Sequence, residues 1–270
     1  MIRLLKIEWN KTYNYRTARI FIILYFVLLV SMGYLVTIIN PSIDNLSINL
    51  AQFGAYVFPY VWQNITFFAD FGSIFLGIII ITSITNEYTY RTIKQNLIDG
   101  LTKKEFLLSK LLVSLIFAIL STLIVFFACL ILGLHYTKNP DSIFTGAEFI
   151  LGYFLKLSAF FSFCTLFAVW IRKSGFAFMC VFLWRLCEII ILSIEKFNSD
   201  SSSSFFLSNL LPANAATKLL PFPNIKPQNL LTGEPVFSLG YFPCEYCIVV
   251  VAYIAIFIIL SYRLLKKRDL

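Results

Sequence analysis

The chain has 270 residues, of which 59% are hydrophobic, 17% aromatic and only 13% charged. A soluble domain carries about 25% charged residues, so this composition excludes a chain covered by a polar surface and makes lipid the solvent that fits it. The formal net charge of +8 would suit a nucleic-acid binder, but the placement of the basic residues argues against that class.

Residues 1–16 are too charged for the apolar core of a cleavable signal peptide, and no small-residue cleavage site follows the first apolar run. That run is expected to remain as an anchor. Ile2, Leu5, Trp9 and Tyr13 recur at helical spacing, with Arg3, Lys6 and Asn10 on another face. The pattern predicts an interfacial elbow helix over 1–16, its basic face against membrane lipid headgroups. A solvated arm that only sets topology is the alternative.

A spanning helix needs about 20 mostly apolar residues. The first candidate is 18–39. The outer loop that follows, 40–66, is rich in aromatics (Phe53, Tyr56, Phe58, Tyr60, Trp62) and is expected to lie along the outer surface. The second span covers 67–84, with a start near Tyr60 also compatible. The connection NEYTYRTIKQNLIDGLTKKEFLLSK at 86–110 is too polar to enter lipid and too patterned for a floppy loop. Residues 86–98 predict a short helix, and Gly100 sits where a helix ends with positive φ. Thr102, with Glu105 three residues on, gives the capping-box signature of a new helix. The result is a cytoplasmic helix–turn–helix elbow with its charges outward, shaped to receive force from a partner. A topological turn needs only a few residues, whereas this stretch has about 25.

Spans three, four and five cover 111–134, 149–171 and 176–194. The fifth connection, 195–245, opens with a serine tract at 201–204 and continues with apolar pieces punctuated by Pro212, Pro221 and Pro223. Short re-entrant or interfacial helices are expected there. The sixth span covers 246–264. Continuous apolar runs favour helices over the short alternating strands of a barrel. The expected fold is therefore an all-α integral membrane protein with six transmembrane helices, as a single transmembrane domain.

Lys and Arg set the orientation. Arg3, Lys6, Lys11, Arg16 and Arg19 precede or open the first span, and Arg91, Lys94, Lys103, Lys104 and Lys110 lie in the second connection. Arg172 and Lys173 lie in the fourth connection, and Arg263, Lys266, Lys267 and Arg268 in the C-terminal tail. Only Lys138, Lys196, Lys218 and Lys226 fall on the other side. Both termini are thus expected in the cytoplasm. The basic excess serves topology, and no nucleic-acid partner is expected.

Four charges fall inside the spans: Asp70 in the outer part of the second, Lys156 in the fourth, and Arg185 and Glu188 at i, i+3 in the fifth. A mid-membrane charge costs roughly 2.5–3.5 kcal/mol on insertion scales and normally faces the bundle interior. Arg185 and Glu188 can pair within their helix, and Lys156 can pair with Glu188 or Asp70. Such a polar patch either lines a transport route or dimer seam, or fixes helix packing as a buried ion network.

Enzymatic chemistry finds little support. The single histidine, His135, excludes H-E-x-x-H metal sites and leaves no catalytic residue to name. No metal ligands and no cofactor are expected in this chain. Cys129, Cys164, Cys180 and Cys187 lie in apolar stretches as small hydrophobes. Cys244 and Cys247 form the one C-x-x-C pair, open to a disulfide, to two reduced packing thiols, or to a redox role. The phosphate-binding G-x-x-x-x-G-K-[ST] loop is missing, so ATP hydrolysis would belong to another chain.

The segments FPYVWQNIT at 58–66 and NEYTYRTIKQNLIDGLTKKEFLLSKLL at 86–112 resemble the permease (transmembrane) subunits of type 2 ATP-binding-cassette exporters, in particular a bacterial branch. Glu87, the Arg91-Thr92 pair, Gln95, the Asp99-Gly100 turn and Lys104-Glu105-Phe106 carry the resemblance. It implies pairing with a second permease copy or a sister permease, and two cytoplasmic ATPase subunits that hold ATP and Mg. It also implies that 86–105 is the coupling helix seated on the ATPase, with Glu87, Arg91, Thr92, Gln95, Asp99, Gly100, Lys104 and Glu105 as coupling residues. The expected location is the bacterial plasma membrane. The large outer domain of fused relatives is missing, which leaves the substrate class open. A stand-alone channel or secondary transporter and a membrane thiol oxidoreductase are the rival classes.

Overall fold

In the computed structural model, residues 8, 11, 15–38, 42–43, 46–47, 55–98, 100–137, 143–197, 210–225 and 237–267 are described. Helices occupy the apolar runs: α1 (Arg16–Ile38), α2 (Tyr60–Asp70), α3 (Ser73–Thr89), α4 (Thr92–Ile98), α5 (Lys103–Tyr136), α6 (Glu148–Ile171), α7 (Ser174–Phe197), α8 (Pro212–Lys218) and α9 (Cys244–Lys267). Two minimal antiparallel ribbons pair Ser42–Ile43 with Leu46–Ser47 and Asn224–Ile225 with Phe237–Ser238, with Ile43 opposite Leu46 and Ile225 opposite Phe237.

On the longest helix small residues face in and large apolar ones face out. On α5 the buried stripe is Ser114, Ala118, Ser121, Val125, Cys129 and Gly133, whereas Leu115, Ile119, Leu123, Phe127 and Ile131 are exposed. Small side chains inside let backbones approach closely, and branched or aromatic ones outside suit hydrocarbon. The described part of α1 repeats the pattern. Ala18, Tyr25 and Leu29 face the bundle, while Ile20, Ile23, Val27 and Val30 face away. Exposed apolar faces of this extent mark a protein solvated by lipid.

The helix α6 is the central post. It packs against α2, α3, α5, α7, α8 and α9 and buries Tyr153, Leu157, Phe161, Cys164 and Ala168 along one side. A hydroxyl triad pins α1 and α5 to it. Tyr25 and Ser121 each lie 3.0 Å from the Tyr153 hydroxyl and are also bonded to each other. Interhelical hydrogen bonds in bilayers average only about 0.6 kcal/mol, so the triad contributes register more than strength.

Four helices, α5, α6, α7 and α9, are long and apolar enough to cross a membrane, and α2 with α3 forms a fifth such unit bent by 41°. The sequence reading puts the second span over 67–84, with a start near Tyr60 also compatible, and does not foresee the bend. The helix starts at Tyr60 and breaks between Asp70 and Ser73. The break is where α1 crosses closely: a Cβ on Gly72 would stand 2.9 Å from the Tyr25 ring. The 34 residues of α5 make a rod of about 51 Å at 1.5 Å per residue, longer than the ~30 Å hydrocarbon core, so α5 carries its polar first turns well beyond the lipid. Of the expected elbow helix at 1–16, only Glu8, Lys11, Tyr15 and Arg16 are described, and residues 198–209 and 226–236 of the connection 195–245 also lie outside the described residues.

Candidate functional site

The connection between the bent pair and α5 is built as an elbow. Its first half departs from the expected single helix over 86–98: α3 runs on through Thr89, and the chain then turns at Tyr90 and Arg91 before α4 begins at Thr92. Arg91 turns it by adopting the left-handed region, φ 56°, which costs a non-glycine residue about 1–2 kcal/mol. Its N–H bonds the Tyr88 carbonyl at 3.3 Å, and its own carbonyl accepts from the Lys94 N–H at 3.1 Å. α4 buries Ile93 against the bundle and presents Lys94, Gln95 and Ile98 outward.

The second half follows the sequence reading. Gly100 has φ 92° with nothing near the position of a Cβ. Thr102 then caps α5: the Glu105 N–H donates to the Thr102 hydroxyl at 3.2 Å, and the Thr102 N–H donates to the Glu105 carboxylate at 2.9 Å. Glu105 is solvent-exposed, on the part of α5 beyond the apolar run 111–134, and these Thr102 backbone and hydroxyl donors hold its carboxyl below the usual carboxylate range. Arg91, Gln95, Gly100, Lys104 and Glu105 are exposed together, with Thr92 half-buried beside them. Asp99 lies outside the described residues. Two apolar side chains join this face, Tyr90 at 69% and Ile98 at 84% exposure.

Glu87 does not face outward as the elbow reading expected. It is buried, and its carboxylate organises the inner side of the elbow. It accepts from Lys110 Nζ at 2.7 Å, Lys11 Nζ at 3.1 Å and Asn96 Nδ2 at 3.1 Å. Lys110 is 4% exposed and also bonds Glu8 at 2.6 Å and the Ser83 hydroxyl at 3.2 Å. Two lysines and two carboxylates thus tie α3, α4, α5 and the N-terminal segment into one unit. The reason is electrostatic: a buried carboxylate must be paired and hydrogen-bonded, and only the inner side of the elbow offers two ammonium groups. Tyr88, one residue on, carries the Arg172 guanidinium over its ring at 5.1 Å. Sequence reasoning missed this cluster because Lys110 and Lys11 were read only as topology signals. Glu8, an acid inside an otherwise basic arm, was the available hint.

The intramembrane charges form a second cluster. Lys156 on α6 pairs with Asp70 at 2.8 Å, at the break between α2 and α3. Of the two partners expected for Lys156, Asp70 is therefore the one it meets. Glu188 is 2% exposed and serves another purpose. It accepts from Trp184 Nε1 at 2.6 Å and from the backbone N–H groups of Ala213 and Asn214 at 3.3 and 3.0 Å. Arg185 stands 3.7 Å away on the same helix. The carboxylate is thus the N-terminal cap of α8, supplied from α7. The sequence carried half the signal: Pro212 at the first helical position is a start mark, yet Leu211 before it cannot cap. Glu188 lies nine residues before the end of α7, about 13 Å along it, and α8 packs there against α6, α7 and α9.

Cys244 and Cys247 are both free thiols on the first turn of α9, which corrects the possible disulfide. At i, i+3 on a helix their Cβ atoms stand about 5–6 Å apart, against the 3.5–4.5 Å a disulfide needs. His135, near the end of α5, is exposed and packs edge-on against Tyr136. Among the described residues, no group of three or more His, Cys, Asp or Glu side chains is gathered to hold a metal ion.

A family model described as "Protein of unknown function (DUF2705)" matches residues 34–270. No curated protein matches the chain.

Proposed function

We propose that this chain, which belongs to the DUF2705 family of unknown function, is the permease subunit of an ATP-binding-cassette exporter. In this reading α1, at 23 residues, is the remaining span, which brings the count to six with both termini cytoplasmic. Two such subunits, or this one and a sister permease, enclose the substrate path in the plasma membrane, and separate ATPases drive them.

The observation that carries the reading is the elbow. Its outer face combines Tyr90, Arg91, Lys94, Gln95 and Ile98 in the mixed aromatic, basic and apolar composition of a protein-binding surface. Its inner face is fixed by the Glu87–Lys110–Glu8–Lys11 cluster to α3 and α5. A push on the outer face therefore moves two long helices together, instead of bending a loop. The conformational work comes from the partner, and this chain is no enzyme in its own right.

The test is gentle extraction with a tag on the C-terminal tail, followed by mass spectrometry of the co-purifying chains. A stoichiometric ATPase, lost when the outward residues 90–98 are exchanged while the permease still elutes as a folded species, is the expected result. A chain that purifies alone in several detergents overturns the assignment.

One observation favours a second reading. The bent α2–α3 pair breaks beside the Asp70–Lys156 ion pair, and discontinuous helices beside charges are a feature of secondary transporters. Substrate uptake by proteoliposomes of the purified chain without ATP would favour that class.

A further inference from the structure

A cavity of about 230 Å³ opens between α3, α6, α7, α8 and α9. Its walls are aromatic and aliphatic, led by Phe160 and Phe163 from α6, Trp184 from α7 and Phe257 from α9. An apolar cavity of about 150 Å³ accepts a benzene ring, so this one holds a longer piece of hydrocarbon. Ser73, Thr217 and Tyr253 add hydroxyl groups to these otherwise apolar walls. Three charged groups reach the cavity: Asp70, Lys156 and Arg185. The first two neutralise each other at 2.8 Å.

Arg185 is different. Its guanidinium has five N–H donors, yet among the described residues none is in a hydrogen bond, and Nη1 is buried without a hydrogen-bond partner. Glu188 comes no nearer than 3.7 Å, because its oxygens are taken by Trp184, Ala213 and Asn214. The side chain is 37% exposed, so its donors are open to a ligand, and an oxyanion in the cavity would satisfy the buried Nη1.

We infer that this cavity binds an amphiphile, with one hydrocarbon tail between α6, α7 and α9 and one anionic headgroup on Arg185. The phosphate of a phospholipid and the carboxylate of a fatty acid share that chemistry. Ile74 and Trp184 line the cavity and are also exposed on the outside of the bundle, which gives a tail a lateral way in from the bilayer. The site needs no ATPase partner, and its test is separate from that of the pump reading.

The experiment uses the full chain in nanodiscs of phosphatidylcholine that contain a small fraction of phosphatidylglycerol with a photoactivatable tail. Peptides labelled on irradiation are mapped by mass spectrometry. The expected result is labelling concentrated in 181–185 and 250–257. It is displaced by unlabelled phosphatidylglycerol and not by phosphatidylcholine or millimolar inorganic phosphate. Arg185→Gln lowers it about tenfold, the loss expected for removing a charged hydrogen-bond partner. Ile74→Trp, at an exposed lining position, fills part of the cavity edge and lowers it as well. Labelling spread evenly over the lipid-facing residues of α1 and α5, or unchanged in both variants, overturns the assignment. Displacement by inorganic phosphate alone overturns the tail half and leaves a free-anion site.

Discussion

Replacing Lys110 by Met tests whether the cluster at the elbow holds the fold there. Met keeps the length and volume of the stem, so the change removes charge and hydrogen bonds. Lys110 bonds Glu8 at 2.6 Å and Glu87 at 2.7 Å, and both carboxylates are about 95% buried. Removing one partner of a buried pair costs about 3–5 kcal/mol. Two features point to the low end. Lys11 remains 3.1 Å from Glu87, and a cavity of about 210 Å³ lined by Lys11, Glu87 and Lys110 admits water. About 3 kcal/mol at roughly 2–4 °C per kcal/mol gives a fall in Tm of about 6–12 °C. The assay is thermal unfolding of the purified chain in detergent, followed by intrinsic fluorescence. Lys110→Met combined with Glu87→Gln restores the balance of one lysine and one carboxylate, and should regain about 1 kcal/mol or more through coupling. A Tm within about 2 °C of the parent for Lys110→Met, or a double variant less stable than it, would refute the reasoning.

Glu188→Ala removes the cap of α8 and orphans three donors, so faster hydrogen exchange at 213–217 and a loss of about 2–4 kcal/mol are expected; unchanged exchange there would show that α8 is held by its apolar contacts alone. Gly133→Ala should destabilise the C-terminal end of α5, because the added Cβ would stand 2.6 and 2.7 Å from two carbons of the Phe58 ring, which is pinned against Trp62. The expected cost of about 1–3 kcal/mol from overpacking exceeds the gain of about 1 kcal/mol in helix propensity, and a higher Tm would contradict it. For the α5 cap, Thr102→Ala should cost about 1 kcal/mol. Because the Glu105 carboxyl is held below its usual range by Thr102, the cap is intact above the ordinary carboxylate pKa and is lost as pH falls through the lowered one. Hydrogen exchange at 103–106 should therefore quicken in acid in the parent chain and lose that acid dependence in Thr102→Ala.

Local rules were enough for much of the molecule. Continuous apolar runs without polar backbone partners can only be helices in lipid, which placed α6, α7 and α9 within a few residues and the apolar part of α5, whose first eight residues extend beyond it. The capping box at Thr102 and Glu105 and the positive φ at Gly100 were readable because each depends on neighbours three or four residues away. Which faces of those helices meet was not readable in the same way. Nothing near Glu188 in sequence says that it caps a helix 25 residues later, and nothing near Glu87 says that Lys110 and Lys11 reach it from two other elements. An ion pair or a cap between helices depends on crossing positions, and these are set in part by where small residues such as Gly72 and Gly133 let a neighbour's ring, Tyr25 or Phe58, seat against the chain. The sequence by itself therefore determined the solvent, the helical class and the capped elbow. Tertiary structure alone decided that Glu87 faces inward, that Lys156 takes Asp70 as its partner, and that Arg185 is left with donors to offer, because those outcomes follow from which charges burial brings within reach of one another.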